Sequence, residues 1–263
     1  MSVSQPSEQS SARAIHRAPT PVVSQRPQRT MDKTARIRRR VLAVFVPLAG
    51  ILLLLAEGLN PKGTDVVVQN TATALKVLPI AAAHPTQLFV AGALSLLAVG
   101  AVGVSFAALA TLVRSRGSAV ATVAALIGGI AAFCGIVVNV MVDFNLAAAA
   151  TAPITQNAAA RFLVTTFNSG FYHAFSYVYF IGIPLSFALV AFALWRSRRV
   201  PRWLALLYFI AAEAAWQSSS LGFLKVFLLM LPFVVVSVLL SLYVWRAAAR
   251  PAGDGAEPAG ATD

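Results

Sequence analysis

Seven polar side chains that border or enter otherwise apolar stretches could do chemistry here: Glu57, His84, Asn139, Asp143, His173, Glu213 and Lys225. Acids, amides and imidazoles in such settings can hold a cation or pass a proton. An Asp or Lys at the centre of a membrane helix costs about 2.5–3.5 kcal/mol on insertion scales, so such groups face the bundle, water or one another. Asp143 and Glu213 carry the most weight on this argument. Asp143 follows Asn139 by one helical turn, which puts both on one face. Glu213 stands among alanines in AAEAAW, and its nearest candidate counter-ion is Lys225, across QSSSLGF. The set predicts a polar cavity open to the outer side, lined by Asn139, Asp143, His173 and Glu213 with Glu57, His84 and Lys225 around it. A plainer reading stands beside it: Glu57, His84, His173 and Lys225 sit near helix ends, where polar residues cap helices and meet headgroups. A Glu213 to Lys225 pair could equally serve only to lock the last hairpin.

The elements that must position these residues are six apolar stretches at about 41–58, 86–113, 118–144, 171–195, 203–219 and 225–245. Most approach the roughly 20 residues needed to cross a ~30 Å hydrocarbon core as helix. Of the 263 residues 58% are hydrophobic and only 11% charged, whereas a soluble domain carries about 25% charged residues. The chain therefore lacks the polar surface to coat a water-soluble globule. Lipid offers the backbone no hydrogen-bond partners, and Ala- and Leu-rich stretches without strict alternation satisfy themselves as helices rather than as a barrel.

Basic residues set the expected orientation. Arg13, Arg17, Arg26, Arg29, Lys33, Arg36, Arg38, Arg39 and Arg40 precede the first stretch. Arg114 and Arg116 follow the second, Arg196, Arg198, Arg199 and Arg202 the fourth, and Arg246 and Arg250 the sixth. The opposite side holds only Lys62, Lys76, Arg161 and Lys225. Basic loops resist translocation, which predicts an all-α bundle of six transmembrane helices with both termini cytoplasmic. The net charge of +12 is then a set of topology anchors meeting anionic headgroups of the inner leaflet. No nucleic-acid partner is expected, because the basic N-terminal tail lacks interleaved aromatics.

Residues 1–40, rich in Ser, Gln, Pro and Arg, read as a disordered basic cytoplasmic tail, 41–246 as the transmembrane domain, and 247–263 as a second disordered tail. Translation could start at Met1 or at Met31. A signal-anchor first helix is preferred to a cleaved signal, whose basic n-region would be far shorter. The single Cys134 can form no internal disulfide and reads as a small core residue.

Packing is also legible. Gly128, Ala132 and Gly135 continue into Asn139 and Asp143 on one face of the third stretch, with Gly103, Ala107 and Thr111 of the second as a partner surface. Pro184 and Pro232 should bend their helices. The aromatics Tyr172, Phe175, Tyr177, Tyr179 and Phe180, with Trp195, Trp203, Trp216 and Trp245 near stretch ends, read as interfacial belt and helix packing. Loops 60–85 and 146–170 resemble no folded domain, but could rest on the membrane or partly cover the cavity.

No P-loop, GxGxxG, HExxH or GxSxG pattern is present, so no catalytic residue, metal or cofactor is assigned. Three function classes follow. A small solute or cation could be bound or transported at the outer cavity, although 41–144 and 171–245 show no convincing repeat. The chain could be an accessory or structural membrane protein. Or His84, His173 and Asp143 could hold a metal for intramembrane hydrolysis, though they share no ligand-spacing motif. Membrane lipids, a second copy or another membrane protein are the expected partners. In its alanine-rich spans, arginine-rich inner loops and RSRRVPRW linker, residues 41–246 resemble the uncharacterised polytopic membrane proteins of high-GC Gram-positive bacteria. That resemblance implies a location in the cytoplasmic membrane and no mechanism.

Overall fold

The computed structural model describes residues 26–61, 64, 68–113, 116–198, 200–217 and 223–249. Among these the chain is all-helical: α1 (Arg26–Leu59), α2 (Thr71–Ala83), α3 (Pro85–Ala110), α4 (Ser118–Asn139), α5 (Asn145–Thr151), α6 (Gln156–Phe167), α7 (Gly170–Ser197), α8 (Arg202–Gln217) and α9 (Phe223–Ala249), with a π-helical turn, Val140–Phe144, joining α4 to α5. Among the described residues, five helical segments are long and apolar enough to cross a membrane: Arg40–Leu59, Pro85–Ala110, Ser118–Thr151, Gly170–Ser197 and Leu228–Arg246. These are the features of a multi-pass membrane protein. The fifth expected stretch is α8, whose 16 residues give a helix of about 24 Å, short of a ~30 Å hydrocarbon core.

Six helices close into a ring. Each packs on its neighbour in the series α1, α3, α4, α7, α8, α9, and α9 returns against α1. Side-chain contacts show how the helices run. Ser241 donates to the Ala43 carbonyl at 2.8 Å, and Gly50 lies against Phe233 and Val234, so α1 and α9 are antiparallel. Gly92 faces Asp143, Gly103 faces Ala132 and Gly128 faces Phe106, so α3 and α4 are antiparallel too. Gly135 against Tyr179 and Gly182 against Ala131 give the same result for α4 and α7.

These glycines explain why the helices come so close. Association in lipid gains nothing from hiding apolar surface, so it depends on fitted van der Waals contact, which small residues permit. The expected inward face of the third stretch is realised, with Gly128, Ala132 and Gly135 all buried. Its expected partner surface is realised only at Gly103. Ala107 is exposed, and the Thr111 hydroxyl turns back to the Ala108 carbonyl at 2.6 Å, closing its own helix end. Phe106, Phe187, Tyr208 and Phe233 then join α3, α7, α8 and α9 through ring contacts of 5.0–6.0 Å. Cys134 is buried, as expected of a core residue. Pro184 and Pro232 lie within helices that continue through them.

Three sequence expectations need correction. The helix that carries the first stretch begins at Arg26, well before position 41, while residues 1–25 and 250–263 lie outside the described residues. The third stretch does not stop at 144 but runs on through the π turn to Thr151. Loops 60–85 and 146–170, which resemble no folded domain in sequence but are open to resting on the membrane or partly covering the cavity, contain α2, α5 and α6, which pack on one another over a small core that includes Val77, Leu78, Leu146, Leu163 and Phe167. They form a cap over one end of the ring.

The cap has its own fastenings. The Asn70 side chain accepts from the Thr73 amide at 2.9 Å and the Thr73 hydroxyl at 3.0 Å, and Asn168 Nδ2 donates to the Gln69 carbonyl at 3.2 Å. Loss of such an N-cap costs about 1 kcal/mol. Asn70→Ala should therefore speed amide exchange in Thr71–Ala83 and leave α3 unaffected; equal exchange in wild type and variant would show that packing alone holds α2.

Candidate functional site

Inside the ring, below the cap, lies a cavity of about 400 Å3 to which all six ring helices contribute. Its residues divide by depth. Nearer the cap are Glu57 at the end of α1, Asn60 and Thr64 beyond it, Asn139 and Asp143 at the end of α4, and Tyr172 in the first turn of α7. Farther from the cap the lining is apolar, with Leu53, Val102, Phe187 and Phe233. The cap closes over part of this space, since Val68 and Phe167 belong both to its small core and to the cavity wall.

The polar end is fixed by short-range bonds. Asn139 Nδ2 donates to the Gly135 carbonyl one turn back at 2.8 Å, which settles the amide in place. Tyr179 of α7 lines the same cavity as Asn139, Glu57 and Asp143. Asp143 falls within the π turn, where the i to i+5 pattern widens the helix, and a Cβ added to Gly92 would meet Asp143 Cβ at 2.8 Å. Glycine on α3 is what admits this carboxylate between the two helices. Thr64 closes the rim by donating to Asn60 Oδ1 at 2.9 Å and to the Pro61 carbonyl at 2.7 Å.

No protein-family model, curated protein or solved structure matches this chain. The site must be read from its own geometry.

Of the seven residues singled out in the sequence, Glu57, Asn139 and Asp143 come together on the cavity wall. His84 is exposed at the junction of α2 and α3, where its side chain makes no capping bond. His173 is exposed beside Tyr172 and Tyr177, with ring centroids 5.8 and 6.4 Å away. Neither histidine lines the cavity. Glu213 is half-buried on α8 and also stands off the cavity lining; its Oε1 is buried without a hydrogen-bond partner among the described residues. The Lys225 side chain, and with it the proposed pair, lies outside the described residues. Among the described residues no three His, Cys, Asp or Glu side chains are grouped so as to share a metal ion.

The sequence reading missed the aromatic wall. Tyr172, Tyr179, Phe180 and Trp216 read in sequence as interfacial belt and helix packing, yet all four line the cavity. Trp216 packs edge-on against both Tyr179, at 5.0 Å, and Phe180, at 5.8 Å. A signal was present: Tyr172, Ser176, Tyr179, Ile183 and Phe187 recur at three- and four-residue spacing, one inward stripe of α7. Trp195, Trp203 and Trp245 are exposed as anchors would be, with Arg202 over Trp195 at 5.8 Å and Arg40 over Trp245 at 5.2 Å.

Proposed function

We propose that this chain is a cytoplasmic-membrane protein with six crossings and both termini inside, which binds or carries a small solute or cation in the cavity beneath its cap. The single observation that supports it best is the convergence of Glu57, Asn139 and Asp143, from two helices distant in sequence, on one cavity wall. Carboxylates within the membrane that face a shared cavity are candidates for ligand or proton sites by default. A cavity of this size matches those that hold small molecules, about 300–1,000 Å3. The sixth crossing is α8, short by itself but a full member of the ring. Orientation rests on the arginines: Arg116, Arg196, Arg198 and Arg202 flank helix ends opposite the cap, which puts the cap outside. The hydrolase reading loses its ligand set, because His84 and His173 stand away from Asp143 on the exposed surface.

Thiol labelling tests the proposal. In a Cys134→Ser background, single cysteines replace Asp143, Glu213, Gln156 and Arg196, and intact cells are treated with a membrane-impermeant maleimide. Gln156→Cys should react at once, Asp143→Cys more slowly through the cap, Glu213→Cys hardly at all, and Arg196→Cys only after permeabilisation. Reaction of Arg196→Cys but not Gln156→Cys in intact cells would invert the topology. Protection of Asp143→Cys in a folded protein, with full reaction after denaturation, would make the polar residues packing groups of an accessory protein.

A further inference from the structure

The side wall of the cavity bears on where its ligand comes from. The described residues that line the cavity are buried or half-buried except Phe180, which is 52% exposed. Phe180 belongs to the outer face of α7, beside the still more exposed Tyr177 and Ile181. It stands ten residues past the start of α7 at Gly170, about 15 Å along the helix at 1.5 Å per residue, which is halfway through a ~30 Å hydrocarbon core. The outer face of a membrane helix meets lipid chains at that depth, not water. Trp216 of α8 touches the Phe180 ring edge-on, with centroids 5.8 Å apart, and lines the cavity as well. At this aromatic pair the cavity wall is also the outer surface of the ring. The interior behind it is apolar and deep. Asp143 lies against Gly92, and Val102 lines the cavity ten residues farther along α3, again a depth of about 15 Å. A polar solute arriving from water would leave that depth unused and would have to shed its hydration beside Val102 and Phe187.

We infer that the ligand of this cavity is a lipid-dissolved alcohol, an uncharged amphiphile with a hydroxyl head and an apolar chain, which enters from the bilayer between α7 and α8, past Phe180 and Trp216. The inference rests on the binding function proposed above and names its ligand class and route. The route decides the absence of charge, because an ion would have to reach Phe180 through hydrocarbon. The apolar end decides that a chain accompanies the head. Trading lipid for an apolar cavity gains nothing by itself, so binding draws on fitted contact and on the head. A hydroxyl in hydrocarbon lacks partners, which is costly, and the cap-side end supplies them in Asn139, Asp143 and Tyr172. A hydroxyl both donates and accepts, so it matches these groups whichever protonation state the carboxyl holds.

The test uses the full chain in lipid nanodiscs held on scintillation beads, with tritiated n-decanol as the probe and protein-free nanodiscs measuring partition into lipid. Saturable binding of one probe per chain is expected, displaced by unlabelled decanol but not by ethanol, which lacks the chain. Leu53→Trp and Val102→Phe each fill the apolar end and should abolish it, with elution in size-exclusion chromatography identifying the variants that fold. On chase with unlabelled decanol, release should be several times faster from Phe180→Ala than from wild type, and unchanged in Val68→Ala, whose side chain belongs to the cap side of the wall. Release from Phe180→Ala no faster than from Val68→Ala would overturn the lateral route. Equal displacement by ethanol, or binding that survives in a folded filling variant, would overturn the ligand class. Absence of saturable binding in a protein whose Asp143→Cys variant is labelled from outside would sink the ligand class and leave the cavity function standing. Absence of both would sink the two together.

Discussion

Gly128→Ala should lower the thermal unfolding midpoint of the purified chain by several degrees, while Gly129→Ala, one residue on, should leave it unchanged or raise it. Both changes add one methyl group to α4. At Gly128 that methyl would run into the Phe106 ring, which is fully buried and backed by Phe187 with centroids 5.0 Å apart. The ring has nowhere to go without disturbing α7 as well, and overpacking of this kind costs about 1–3 kcal/mol. At Gly129 nothing lies within 4 Å of the added carbon, so the change only removes the backbone freedom of a helical glycine, worth about 0.5–1 kcal/mol in favour of alanine. Opposite signs at adjacent positions isolate packing from helix propensity. Equal midpoints for the two variants would mean that α3 does not sit on α4 as described.

The same pair shows how much was legible beforehand. Small residues at three- and four-residue spacing can be read from the chain, and they correctly marked the face of α4 that looks inward. Which residue fills the notch opposite cannot be read, because it depends on the crossing of two helices; Phe106 for Gly128 and Tyr179 for Gly135 came only from the structure. The polar residues followed the same rule. Asp143 and Asn139 could be placed because a stripe of small residues already oriented their helix. Glu213 offered no such stripe, only alanines on every side, and its assignment to the cavity did not hold. The cap was invisible for a different reason: α2 and α6 have 13 and 12 residues, short helices that are marginal alone and take their stability from packing on each other.

Tyr208 should prove the residue on which the seat of α8 most depends. This helix is the shortest in the ring and joins it through two neighbours, α7 and α9. Tyr208 reaches both: it is fully buried, with Phe187 5.7 Å away on one side and Phe233 6.0 Å away on the other. Tyr208→Ala removes all of this at once and should cost about 3–5 kcal/mol, as large aromatic deletions in packed cores do. Amide exchange across Arg202–Gln217 should then rise well above that of the other ring helices. Tyr208→Phe keeps the ring contacts with Phe187 and Phe233 and should cost far less than the alanine change. Leu206→Ala, on the exposed face of the same helix, controls for helix propensity and should be nearly silent. If Tyr208→Ala were no worse than Leu206→Ala, α8 would not be part of a closed ring. Because Ala215 and Trp216 on this helix form part of the cavity wall, loosening α8 in Tyr208→Ala should also speed the labelling of Asp143→Cys from outside, while Tyr208→Phe leaves it unchanged, which ties the integrity of the site to the packing of its shortest helix.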